Sequence, residues 1–97
     1  MGFLRTENDV IEIERFKREL RGLNVGERQL YHRGILMYAR QFDHVTDEKA
    51  RILWGLAQVG YIVLFQKRDD EGVMGYWFAV IDKLTRPRIT EAERLPV

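Results

Sequence analysis

Hydrophobic positions in the first half of the chain recur every three or four residues, and in the second half they close up into nearly continuous runs. That change separates a helical part from a sheet-forming part. Over residues 7–21, Ile13, Phe16 and Leu20 fall on one helical stripe, with Val10 at its edge and Leu23 extending it. Thr6 and Asp9 have the spacing of a capping box, although Asp reaches back less well than Glu or Gln. Glu14 and Arg18 stand in the favourable i,i+4 order, and the remaining charges make a solvated face. Gly22 and Gly26 bracket a turn. A second helix is expected over residues 27–42, where Tyr31, Ile35, Tyr38 and Phe42 share a stripe and Leu30, Leu36 and Met37 lie to either side. A helix apolar around so much of its circumference is either central in its domain or packs on a partner chain.

Thr46 is a good N-cap for a third helix, and Asp47 and Glu48 suit the positive end of its dipole. Ala50, Leu53 and Ala57 form its inward stripe, flanked by Trp54 and Leu56, and Gly60 supplies a left-handed stop. Residues 61–68 and 73–81 are rich in β-branched and aromatic side chains, with the loop Asp69, Asp70, Glu71, Gly72 between them, and read as a hairpin. Nearly every strand position except Gln66, Lys67 and Arg68 is apolar. Such strands are buried on both faces or present an aromatic face to something else. Beyond Ile81 the composition turns polar and Pro87 interrupts helical continuation. The expectation is therefore an α+β fold of three helices followed by a β-hairpin, in a single domain over residues 1–82, with a loosely held polar tail over 83–97.

Composition narrows the chemistry. The chain has 97 residues, enough for one core, and contains neither cysteine nor serine. Disulfides, thiolate metal sites and serine or cysteine nucleophiles are thereby excluded. His32 and His44 are twelve residues apart with no recognised ligand spacing, and no glycine-rich phosphate loop occurs. No metal, no cofactor and no enzymatic activity are expected. The formal charge is +1, so any basic surface must be local. The longest apolar run is too short to cross a bilayer, and the first ten residues lack a basic flank followed by an apolar core. A cytoplasmic setting, without membrane association, is the default.

Two helices joined by a short turn, a third ending at Gly60, and a hairpin after it: the stretch from Ala50 to Ile62 resembles the recognition helix, closing glycine and first wing strand of a winged helix-turn-helix DNA-binding domain. The resemblance covers residues 27–81 and implies a small transcriptional regulator that binds double-stranded DNA. It places Asp47, Glu48, Arg51, Gly55 and Gln58 on the exposed face of the reading helix and Lys67 and Arg68 at the wing. With Arg33 and Arg40, which align on the second helix, the implied nucleic-acid surface is Arg33, Arg40, Arg51, Gln58, Lys67 and Arg68. Lys83, Arg86 and Arg88 of the tail add to it. Asp47, Glu48, Asp69, Asp70 and Glu71 work against phosphate binding, and the same bases read equally well as scattered solubilising charges. The alternative is a protein-binding adapter or inhibitor, of the kind bacteriophages carry, that uses Tyr61, Phe65, Tyr76, Trp77 and Phe78 as anchors. A homodimer through the second helix fits either reading.

Overall fold

Thr6 begins the ordered architecture with a reciprocal cap, its hydroxyl accepting from the Asp9 amide at 3.1 Å while Asp9 Oδ2 accepts from the Thr6 amide at 3.2 Å. The computed structural model describes residues 6–95; residues 1–5, on which the leader expectation partly rests, and residues 96–97, with Pro96 of the expected tail, lie outside them. From the cap, α1 (Glu7–Gly22) runs to β1 (Arg28–Arg33), α2 (Leu36–Phe42) and α3 (His44–Gln58), followed by β2 (Ile62–Arg68), β3 (Met74–Val80) and α4 (Arg86–Glu93). The α+β class is as expected, with four helices and one three-stranded antiparallel sheet in the order β1-β3-β2.

The order of three helices and then a hairpin is corrected at both ends. A single helix over 27–42 does not form. Its first half is β1, because Gly26 and Gly34 adopt φ of 92° and 112° and break the chain on either side of it. Pairing with the free edge of β3 then satisfies its backbone, beginning with Gly26 N–H to Val80 O at 2.8 Å and ending with Gly34 N–H to Met74 O at 2.9 Å. A bulge between Leu30 and His32 obscures the alternation that would have marked the strand. The helical stripe from Tyr31 to Phe42 therefore crosses two elements. Only seven residues remain helical in α2.

The third helix starts two residues before Thr46. Asp43 is its cap, accepting from the Val45 amide at 3.1 Å and from the Thr46 hydroxyl at 2.6 Å. The expected loose tail is instead α4, with Leu84, Ile89 and Ala92 at most 2% exposed. Pro87 lies in the first turn of α4, where a missing amide hydrogen costs no helical bond. The same core takes Ile13, Phe16 and Leu20 from α1, Ile52, Leu53 and Leu56 from α3, and Ile62, Phe78 and Val80 from the sheet.

Helix α4 lies directly over α3 at Gly55. A Cβ there would stand 3.0 Å from the Ala92 carbonyl carbon and 3.1 Å from its Cβ, so only glycine permits this approach. Lys17 of α1 ties α4 from the other side, at 2.8 Å from Glu93 and 3.3 Å from Glu14. Glu14 thus pairs at i+3 and not with Arg18. Because Ile89 is enclosed by the core, Ile89→Ala should lower unfolding stability by about 2–5 kcal/mol in urea titration, whereas exposed Arg94→Ala should stay within about 0.5 kcal/mol of the parent.

Candidate functional site

The side chains expected to converge on nucleic acid are divided among three places. At the hairpin tip, Arg33 Nε donates to Asp69 Oδ2 at 2.7 Å, with Arg33 Nη2 3.4 Å from Glu71 Oε2. Arg68 Nη1 donates to the Gly72 carbonyl at 2.7 Å, and Lys67 makes no ion pair among the described residues. These three border a depression of about 280 Å³ together with Asp69, Asp70, Leu30, Gly75 and Trp77. At the start of α3, the Asp47 carboxylate bridges Arg40 at 2.8 Å and Arg51 at 2.9 Å. Gln58 is exposed at the other end of the same helix, about 16 Å from Asp47 at 1.5 Å per residue.

The outer face of α3 is partly covered. Gly55, expected to be exposed, is buried beneath Ala92. What remains is a trough of about 570 Å³ between α3 and α4, lined by Asp47, Glu48 and Glu93 as well as Arg51. His44 Nε2 lies 3.0 Å from Glu48 Oε1 in the same trough. Carboxylates outnumber guanidinium groups here, which is the reverse of what a phosphate backbone requires.

The aromatic set is likewise split. Phe78 is fully buried, and Tyr76 faces Tyr31 and His32 with ring centroids 6.3 and 6.0 Å away. Tyr61 belongs to the α4 contact, donating its hydroxyl proton to Glu91 Oε2 at 3.0 Å, with the Arg88 guanidinium 4.9 Å from its ring centroid. Phe65 and Trp77 share the opposite face of the sheet, stacked at 6.2 Å with 16° between planes.

A surface outside both sets is the most exposed apolar one. No residue of α2 is buried, and Ile35, Met37, Tyr38 and Phe42 are 73%, 75%, 64% and 65% exposed. The rings of Tyr38 and Phe42 lie 4.9 Å apart. Its signal was present in the sequence as excess apolar residues on the second helix, and shortening that helix left them without an internal partner. Arg28 was also not foreseen: its guanidinium lies 5.8 Å from the Phe65 ring centroid.

Three carboxylates hold this arrangement together electrostatically. Burial pushes the Asp47 pKa up, but hydrogen bonds and charge from Arg40 and Arg51 outweigh it and leave the group below its ordinary value. Asp43 is lowered chiefly by the Thr46 hydroxyl, then by the Val45 and Thr46 amides. Asp69 is lowered chiefly by Arg33, and then by the Val73 amide. Among the described residues there is no cluster of three or more His, Asp or Glu able to hold a metal ion, and no helix long and apolar enough to cross a membrane. Comparison of the chain with protein-family models, curated proteins and solved structures finds no match in any of the three.

A carboxylate whose pKa is lowered on folding contributes stability above its unfolded pKa and loses it as pH falls through the folded value. Thermal stability should therefore fall on acidification across and below the ordinary carboxylate range. Asp47→Asn should be less stable at neutral pH and show a shallower acid-side slope. Melting temperatures of the two proteins across that range test this, and identical slopes would remove Asp47 from the account.

Proposed function

We propose that this protein is a non-enzymatic protein-binding module on a winged-helix-like scaffold, and that it docks through α2. The scaffold reading draws support from the succession of α2, α3 and the β2-β3 hairpin, with β1 completing the sheet. The single observation that carries the binding reading is the apolar face of α2. Two aromatic rings about two-thirds exposed leave roughly 200–300 Å² of apolar area, before Ile35 and Met37 are added. A patch of this order matches the largest that a monomer ordinarily exposes, and such patches are often binding sites.

Charge favours a protein over DNA at this face. Arg33, just before α2, and Arg40, within it, are already held by Asp69 with Glu71 and by Asp47. An apolar face with its charges internally compensated attracts another apolar face. The double-stranded DNA reading is the weaker one, since α4 occupies part of the α3 face and Asp47 holds two of its arginines.

A second copy of this chain is the occupant with the best complementarity. Packing α2 against its symmetry mate in antiparallel fashion opposes the two helix dipoles. Cyclic dimers are the commonest closed assembly, and they need such a self-complementary patch.

Sedimentation equilibrium should give a concentration-dependent dimer that Met37→Glu/Phe42→Glu converts to monomer without loss of the melting transition. Because the chain lacks cysteine, Tyr38→Cys should form a disulfide-linked dimer under mild oxidation while exposed Val25→Cys should not. A monomer mass up to about 1 mM, where association is worth only about 4 kcal/mol, would overturn self-docking.

A further inference from the structure

The open face of the sheet carries a surface independent of α2. Residues two apart on a strand share a face, so cross-strand pairing lays three rows there: Arg33, Gly75 and Lys67; Leu30, Trp77 and Phe65; Arg28, Ala79 and Val63. Leu36 of α2 borders Gln66 and Tyr76, which belong to the opposite face. The two surfaces can therefore be occupied separately.

Gly75 shapes the middle of this face. A Cβ at that position would lie 2.9 Å from Trp77 Nε1 and 3.1 Å from Leu30 Cδ1. The missing side chain lets the indole lie across the sheet, where it stacks with Phe65. The indole N–H has no hydrogen-bond partner among the described residues and borders the 280 Å³ depression. That volume sits just below the range of about 300–1,000 Å³ typical of drug-sized sites and suits a single planar ring.

Cations stand on both sides of the stacked pair. Arg28 lies over Phe65 on the β1 side and Lys67 is next to Gly75 on the β2 side. Neither has a carboxylate partner among the described residues, in contrast to Arg33. Arg68, at the rim of the depression with Asp69 and Asp70, donates to a carbonyl and makes no ion pair among the described residues.

We propose that this face binds single-stranded nucleic acid, with an unpaired base stacked on Trp77 and Phe65 and the flanking phosphates held by Arg28 and Lys67. Aromatic platforms flanked by cations take single strands because every base has a π-face and each nucleotide carries a phosphate. A duplex hides those faces. An acidic peptide would use the cations but gain nothing from the half-buried indole and phenyl rings.

The test is fluorescence anisotropy of a labelled oligothymidylate of about ten nucleotides, inside the ~4–16 nucleotide span of comparable sites, titrated with the full chain. Saturable binding is expected, weakened about ten- to a hundred-fold by Trp77→Ala and much less by Trp77→Phe. Lys67→Gln should reduce the salt slope by about 0.7, and as an exposed substitution it leaves the fold intact. Absence of binding at low salt, equal affinity for a duplex of the same length, or affinity unchanged by Trp77→Ala and Lys67→Gln would each overturn the proposal. Stronger binding of a polyglutamate peptide would overturn it in favour of an acidic protein ligand. Met37→Glu/Phe42→Glu should leave oligothymidylate binding to each protomer intact, so failure here and failure of α2 docking are separately visible.

Discussion

Phe78 sits at the centre of β3 with no exposed area, and β3 sits at the centre of the sheet. A central strand must have both of its edges hydrogen-bonded, because unpaired amides and carbonyls beside the core are costly. The hairpin loop supplies one neighbour. The other has to come from far upstream, and β1 is that segment. Once residues 28–33 are committed to the sheet, the chain must turn at Gly26 and Gly34, and the helix that follows is left with seven residues. A helix so short cannot bury side chains all round it. The exposed face of α2 is thus a consequence of pairing at β3 as much as of its own sequence.

This explains which parts of the fold were legible in the sequence. Local signals gave the first helix, with its Thr6–Asp9 cap and buried Ile13, Phe16 and Leu20, and they gave the Gly60 stop and the hairpin. The β1 strand was hidden because its reward is pairing with a segment some fifty residues later, and because a bulge at Leu30/His32 breaks its period. Helix α4 was hidden for a different reason. Its polar composition suggested a tail, but three buried apolar residues, Leu84, Ile89 and Ala92, suffice when a glycine on α3 leaves a groove to receive them.

The candidate sites followed the same division. Residue types with a surface role could be listed from the sequence, yet their grouping depended on which carboxylate each cation found. Asp47 draws in Arg40 and Arg51, and Asp69 with Glu71 draws in Arg33. Arg28 and Lys67 remain beside the Phe65–Trp77 stack because no strand position carries an acid, and of the loop acids Asp69 and Asp70 that border the depression, Asp69 is taken by Arg33. One aromatic list became four environments: core for Phe78, the α4 seam for Tyr61, the contact with Tyr31 and His32 for Tyr76, and the open face for Trp77 and Phe65.

The seat of α4 on Gly55 has a bearing on biosynthesis. Translation proceeds from the amino end, so every other described element emerges before the segment that closes the back of α3. Until Leu84, Ile89 and Ala92 arrive, a nascent chain holds an apolar groove open to its surroundings. The interval in which that groove is unfilled is when a chaperone, or a neighbouring nascent chain, has its best access to this protein.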